Sequence, residues 1–143
     1  HLKTSDFDNQ TAIKYSLGIS QTRLLDPTGR KSLGFSVLYS MNDAKGRNSV
    51  YDRYMVSINH TRPLGEKWLG YGRLDYLGMD FKDSVSGRED HGLIATLGAF
   101  YSWTQRSSWN LSLQYHDNNS NVSVYDFNKT VASVMYVYRG GFF

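Results

Sequence analysis

The chain has 143 residues, with 16 Lys and Arg against 13 Asp and Glu, 40% hydrophobic residues and a mean hydropathy of −0.50. That is the length of one domain or part of one, and no run approaches the roughly 18 to 20 apolar residues of a membrane-spanning helix. The absence of Cys excludes disulfides and thiolate metal sites, and a net charge of +3 scattered along the chain lays down no nucleic-acid footprint.

With 11 Tyr, 7 Phe, 3 Trp and 13 Gly against 2 Pro, the composition favours all-β structure. The chain begins at His1 with neither an initiator Met nor a signal peptide, and is expected to be a mature or truncated product or part of something longer. Residues 1–10 are polar and read as a loop or N-terminal extension. A first strand places Ile13, Tyr15, Leu17 and Ile19 opposite Lys14, Ser16, Gly18 and Ser20. Asp26-Pro27-Thr28-Gly29 is a strong turn signal. The second strand sets Leu33, Phe35, Val37, Tyr39 and Met41 against Ser32, Gly34, Ser36 and Ser40, and a polar loop is expected over 42–49.

Tyr54, Val56 and Ile58 alternate with Arg53, Ser57 and Asn59 in the third strand, which ends in a tight turn at Pro63-Leu64-Gly65-Glu66. The fourth is less clean, with Trp68, Gly70, Gly72, Leu74 and Tyr76 opposing Arg73 and Asp75. A charged loop is expected over 82–90. The clearest hairpin follows, from His91 to His116, its alternating runs Leu93 to Trp103 and Trp109 to His116 joined by Gln105-Arg106-Ser107-Ser108. Only Ile94 and Phe100 break its polar face. Residues 117–126 read as a third long loop, and the last strand shows Ala132, Val134, Tyr136 and Tyr138 on one face.

Strands of about ten residues that are apolar on one side and polar on the other suit a membrane-spanning barrel. They also suit a soluble one. Connections expected to alternate short and long favour the membrane, with tight periplasmic turns and longer outside loops. All three tryptophans, Trp68, Trp103 and Trp109, fall at the short-turn end on the apolar face. With Tyr138 and Phe142 they form a candidate interfacial aromatic belt.

The C-terminal stretch 134–143 resembles the last strand of bacterial outer-membrane proteins, which ends in alternating aromatics and a terminal Phe. The resemblance implies that Tyr136, Tyr138, Phe142 and Phe143 act as the signal read by the barrel assembly machinery. Gly140-Gly141 and the extra Phe143 depart from that pattern. From Arg88 through Tyr138 the chain is also similar to the last two hairpins of larger envelope-export barrels. The similarity rests on Arg88-Glu89-Asp90, Ser120-Asn121 and Tyr125-Asp126-Phe127-Asn128. Such endings occur in surface lipoprotein assembly modifiers and in barrels of exopolysaccharide secretion.

The expected fold is therefore an antiparallel up-and-down transmembrane β-barrel of seven or eight strands, one domain over residues 1–143 or the C-terminal portion of one. Seven strands call for completion by an N-terminal portion or other chains, while a strand near Leu2 to Phe7 would make eight. The expected role is a conduit or translocator across a Gram-negative outer membrane. Its partners would be membrane lipid and an anionic polymer or lipoprotein cargo. A passive porin and a non-conducting anchor are the rivals, and a soluble ligand-binding barrel is the alternative outside the membrane.

Candidate lumen-facing charges are Lys14, Arg53, Arg73 and Arg139 against Asp75. They either select for anions or pair across strands, Arg73 or Arg53 with Asp75, to stiffen the interior. His116 and Ser120 faintly resemble the His-x-Ser-Asn of membrane lipases, but stand four apart rather than two. His1, His60, His91 and His116 show no metal-ligand spacing. No catalytic residue, cofactor or metal is expected.

Overall fold

Each of the expected alternating runs becomes a strand. The structure, a computed structural model, describes residues 12–44, 50–82 and 87–140. The strands are β1 (Ala12–Leu24), β2 (Ser32–Ala44), β3 (Tyr51–Pro63), β4 (Trp68–Phe81), β5 (Glu89–Ser102), β6 (Ser107–Ser120) and β7 (Phe127–Tyr138). They form one antiparallel up-and-down sheet in the order β1-β2-β3-β4-β5-β6-β7. Among the described residues β1 and β7 are not paired with each other, so the ladder is not closed.

Register keeps every apolar row on the same face. Leu17 stands opposite Tyr39 and Tyr39 opposite Tyr54. Val56 faces Tyr76, and Leu97 faces Leu113, which faces Ala132. The polar rows follow suit: Ser20, Ser36, Ser57, Asp75, Ile94, His116 and Lys129 are successive partners across all seven strands. With a side-chain period of two, slipping any strand by one residue would mix the faces.

Burial is inverted relative to a water-soluble protein. Leu17 is 79% exposed, Ile19 74%, Val134 69% and Leu97 68%. On the opposite face Ser57 and Asp90 are fully buried, and Ser40 and Asp75 nearly so. Leu77 and Phe81 are the only large apolar side chains buried among the described residues. The middle strands β2–β6 thus shelter polar side chains and display apolar ones, while β1 and β7 are exposed on nearly every residue of both faces.

Several sequence boundaries shift. The strands hold 12 to 14 residues rather than about ten. β2 runs on to Ala44, β5 begins at Glu89, and β6 continues to Ser120 through residues read as loop. Polar residues there pair in the ladder, Asp90 with Ser120, Asn118 with Gly92 and Asn119 with His91. The backbone bonds of extended pairing outweigh the weak strand preference of Asp and Asn.

The third long loop shrinks to residues 121–126 around a single 3-10 turn, Ser123–Tyr125. Conversely, the turn after β1 spans 25–31, because Asp26 organises it. Thr28 Oγ1 and the Lys31 N–H donate to the Asp26 carboxylate at 2.6 and 2.9 Å, and Gly29 takes φ +68°. Only the β3–β4 and β5–β6 turns are tight, so connections do not alternate cleanly between short and long. The loop expected over 1–10, the eighth strand near Leu2 to Phe7, and Phe142 and Phe143 lie outside the described residues.

Candidate functional site

The polar face is where side chains converge. Arg73 and Asp75 are two apart on β4 and so share that face. Arg73 Nε and Nη2 donate to the Asp75 carboxylate at 2.8 Å, and Nη2 also reaches Ser57 Oγ at 3.4 Å on β3. The Asp75 side chain is 9% exposed and that of Arg73 45%, so the pair fixes the carboxylate inside while the guanidinium stays partly open. Beside it, Gln114 donates to Thr96 Oγ1 at 3.1 Å.

Of the two candidate partners for Asp75, the structure selects Arg73. Arg53 sits four ladder positions away, opposite Ser40 and Met79, and contacts Met55 Sδ at 3.7 Å. Its Nε is buried without a hydrogen-bond partner among the described residues. Lys14 lies on exposed β1, opposite Asn42. Arg139 is not on a strand at all: β7 ends at Tyr138, and Arg139 N–H donates to Arg106 O at 2.8 Å across the turn end. The five candidate charges thus form one ion pair and three separate cations.

The polar face is also less uniform than the alternation suggests. Tyr71 projects inward from β4, packs tilted against Phe100 with ring centroids 5.1 Å apart, and donates to Asn110 Oδ1 at 3.1 Å. Its ring lies directly over Gly98, where a Cβ would stand 2.3 Å from Tyr71 Cζ.

At the turn end the apolar face carries a straight row of aromatics. Trp68, Tyr101, Trp109 and Tyr136 are successive partners on β4 to β7. Ring centroids are 4.7 Å apart for Trp68 and Tyr101, and 4.9 Å for Trp109 and Tyr136. Trp103 lies one residue past β5, in the turn, edge-on to Tyr101. Tyr138 stands two residues beyond Tyr136 on the same face, opposite Ser107.

The loop end holds a cluster that sequence reading did not single out as a site. Arg88 lies between the rings of Phe81 and Tyr125, 4.2 and 3.3 Å from their centroids, and grips Asp90 in a bidentate ion pair. Ser120 N–H donates to Asp126, while Asn121 joins Gly87 O and Glu89 N. These include the residues behind the resemblance to export barrels, so that pattern describes one physical knot at a rim. Asp90 holds the Arg88 guanidinium above its ordinary pKa, and Asp80 and then Asp52 do the same for the Lys82 ammonium.

The two ends differ in charge. Described residues at the turn end are Arg23, Arg30, Lys31, Arg62, Lys67, Arg106 and Arg139 against Asp26 and Glu66. At the loop end Lys14, Arg53, Lys82, Arg88 and Lys129 are outnumbered by Asp43, Asp52, Asp80, Glu89, Asp90, Asp117 and Asp126.

His116 and Ser120 share one face of β6. Four residues along a strand set them roughly 13 Å apart, so they form no Ser–His relay. His60 Nδ1 is bonded to Ser32 O and His91 Nδ1 to Tyr76 Oη, and no metal-binding cluster of His and carboxylates occurs among the described residues. Comparison with protein-family models, curated proteins and solved structures gave no match.

Proposed function

We propose that this chain forms part of the wall of a transmembrane β-barrel in a Gram-negative outer membrane. It would serve as a conduit or translocator with a polar, mildly cationic lumen. The inverted burial carries the reading: seven adjacent strands expose one continuous apolar face, while the middle five shelter Ser40, Ser57, Asp75 and Asp90 on the other. A soluble monomer rarely displays more than a few hundred Å² of contiguous apolar surface. A hydrocarbon surrounding accepts such a face, provided every backbone polar group is paired along the ladder.

Strand dimensions agree. Thirteen residues extend about 44 Å, and a tilt near 40° leaves about 34 Å along the membrane normal, enough to cross the hydrocarbon core with short rims. Direction adds a constraint on closure. β1 and β7 are both odd-numbered and run the same way, so joining them, or β7 of one copy to β1 of another, would make a parallel pair. An all-antiparallel wall therefore takes an odd number of further strands. One further strand satisfies this, as does the longer N-terminal portion of a larger barrel, and the weak strand composition of residues 1–10 favours the larger barrel.

The test is insertion followed by conductance. The chain, with whatever polypeptide accompanies it in the cell, should partition into detergent or vesicles rather than buffer and give gated or partner-dependent currents in planar bilayers. A chain that folds as a soluble monomer in plain buffer ends the membrane reading. Stable insertion without current would favour a non-conducting anchor, which the inward Tyr71–Phe100 contact and the Arg73–Asp75 pair also suit.

A further inference from the structure

The apolar face is not smooth. A groove of about 650 Å³ opens over Gly70 and Gly72 of β4, walled by Ile58, Leu64, Leu74 and Leu97. It arises because register sets two glycines where neighbouring strands carry large side chains. Gly72 stands opposite His60 and Leu97, and Gly70 opposite Arg62 and Ala99. A second observation fixes its chemistry. Arg62 lines the groove at its turn end, is exposed, and forms no ion pair among the described residues. It belongs to the basic collar at that rim, one row from Trp68 of the aromatic row.

An apolar trough that ends at an unpaired guanidinium beside interfacial aromatics matches a molecule with an acyl chain and an anionic head. We infer that this groove is a binding site for one anionic phospholipid. An acyl chain lies over Gly72, and the phosphate is held by Arg62 within the field of the collar. The inference rests on the membrane reading above. Guanidinium suits the task because its planar fork matches phosphate oxygens, and basic residues next to a membrane surface attract anionic headgroups. Among the described residues the opposite rim has more carboxylates than cations and offers no such complement.

Gly72 allows the trough to be filled without disturbing the wall. A Cβ there meets only Leu97 Cδ2 at 3.4 Å and Thr96 O at 3.9 Å. The full chain is folded into phosphatidylcholine vesicles doped with phosphatidylglycerol, extracted gently, and its retained lipids are weighed by native mass spectrometry. One phosphatidylglycerol should be retained, preferred over phosphatidylcholine by about fivefold or more. Arg62→Gln should abolish the preference and Gly72→Leu should remove the retained lipid. Arg106→Gln, a collar charge away from the groove, should change neither.

Equal loss in Arg62→Gln and Arg106→Gln would overturn the site in favour of diffuse attraction by the collar. So would unchanged retention in Arg62→Gln, whether or not Gly72→Leu folds. Insertion without any headgroup preference refutes this site and leaves the barrel reading standing. Failure to insert at all refutes both.

Discussion

Arg73 reaches two residues along its own strand to clamp Asp75, and the same guanidinium touches Ser57 on the neighbouring strand. The pair thus ties β3 to β4 inside the enclosed face. Removing one partner leaves the other charge without its mate in a partly dry place. Asp75→Ala is expected to lower stability in lipid by roughly 1–3 kcal/mol, read from the denaturant midpoint. Replacing both residues should cost less than the sum of the single changes.

Face assignment predicts a contrast between alternate positions. Lys at Leu113, Leu97 or Val37 would place a charge among acyl chains, at about 2–4 kcal/mol near the bilayer midplane. Lys at Ser112 or Ser36 would enter the polar interior and be tolerated. Folding yield into vesicles, followed by band shift on unheated gels, separates the two sets, and equal yields would contradict the assignment.

Gly98 is a packing requirement beneath the Tyr71 ring. Gly98→Ala should push the ring off Phe100 and break its bond to Asn110, costing roughly 1–3 kcal/mol. In a Tyr71→Ala background the same change should be nearly neutral. Unfolding midpoints of the four proteins test this.

The first turn carries a pH signature. Asp26 accepts bonds from the Thr28 hydroxyl and the Lys31 amide, and these hold its carboxyl below the usual carboxylate value. Its contribution to turn order is therefore present above the unfolded Asp pKa of about 3.9. It is lost as pH falls through the lower folded value. The Lys31 amide resonance should titrate with a midpoint under that reference, and Asp26→Asn should abolish the titration.

At the opposite rim Arg88 is packed between two rings and bound to Asp90. Arg88→Ala removes cation–π contacts, each on the order of 0.5–2 kcal/mol, along with the ion pair. Loop 121–126 should then become a protease site in intact vesicles while the strands stay protected. Arg88→Lys should rescue only partly, because an ammonium cannot make the bidentate contact.

Seven strands and their facing were legible because period two is written into nearly every run, from Ile13–Ile19 to Trp109–Tyr115. Strand ends were not. Asp90, Asn118, Asn119 and Ser120 look like loop residues until register supplies each with a partner. The Arg73–Asp75 pair was visible as two residues on one face, but nothing in the sequence separated Arg73 from Arg53. The knot around Arg88 was hidden for the same reason. Phe81, Asp90 and Tyr125 come from three stretches of chain, and periodicity does not say how strands align. The groove over Gly70 and Gly72 depends likewise on what stands opposite two glycines.

The aromatic row has a consequence for depth. Direct partners such as Trp68, Tyr101, Trp109 and Tyr136 lie along the hydrogen-bonding direction, so three steps of about 4.8 Å carry the row about 14 Å around the wall. If strands lean about 40° from the normal, that line slopes equally against the bilayer plane, and its ends differ in height by about 9 Å. Trp68 and Trp109 would then be dimmed to unequal extents by lipids brominated at graded positions along their tails.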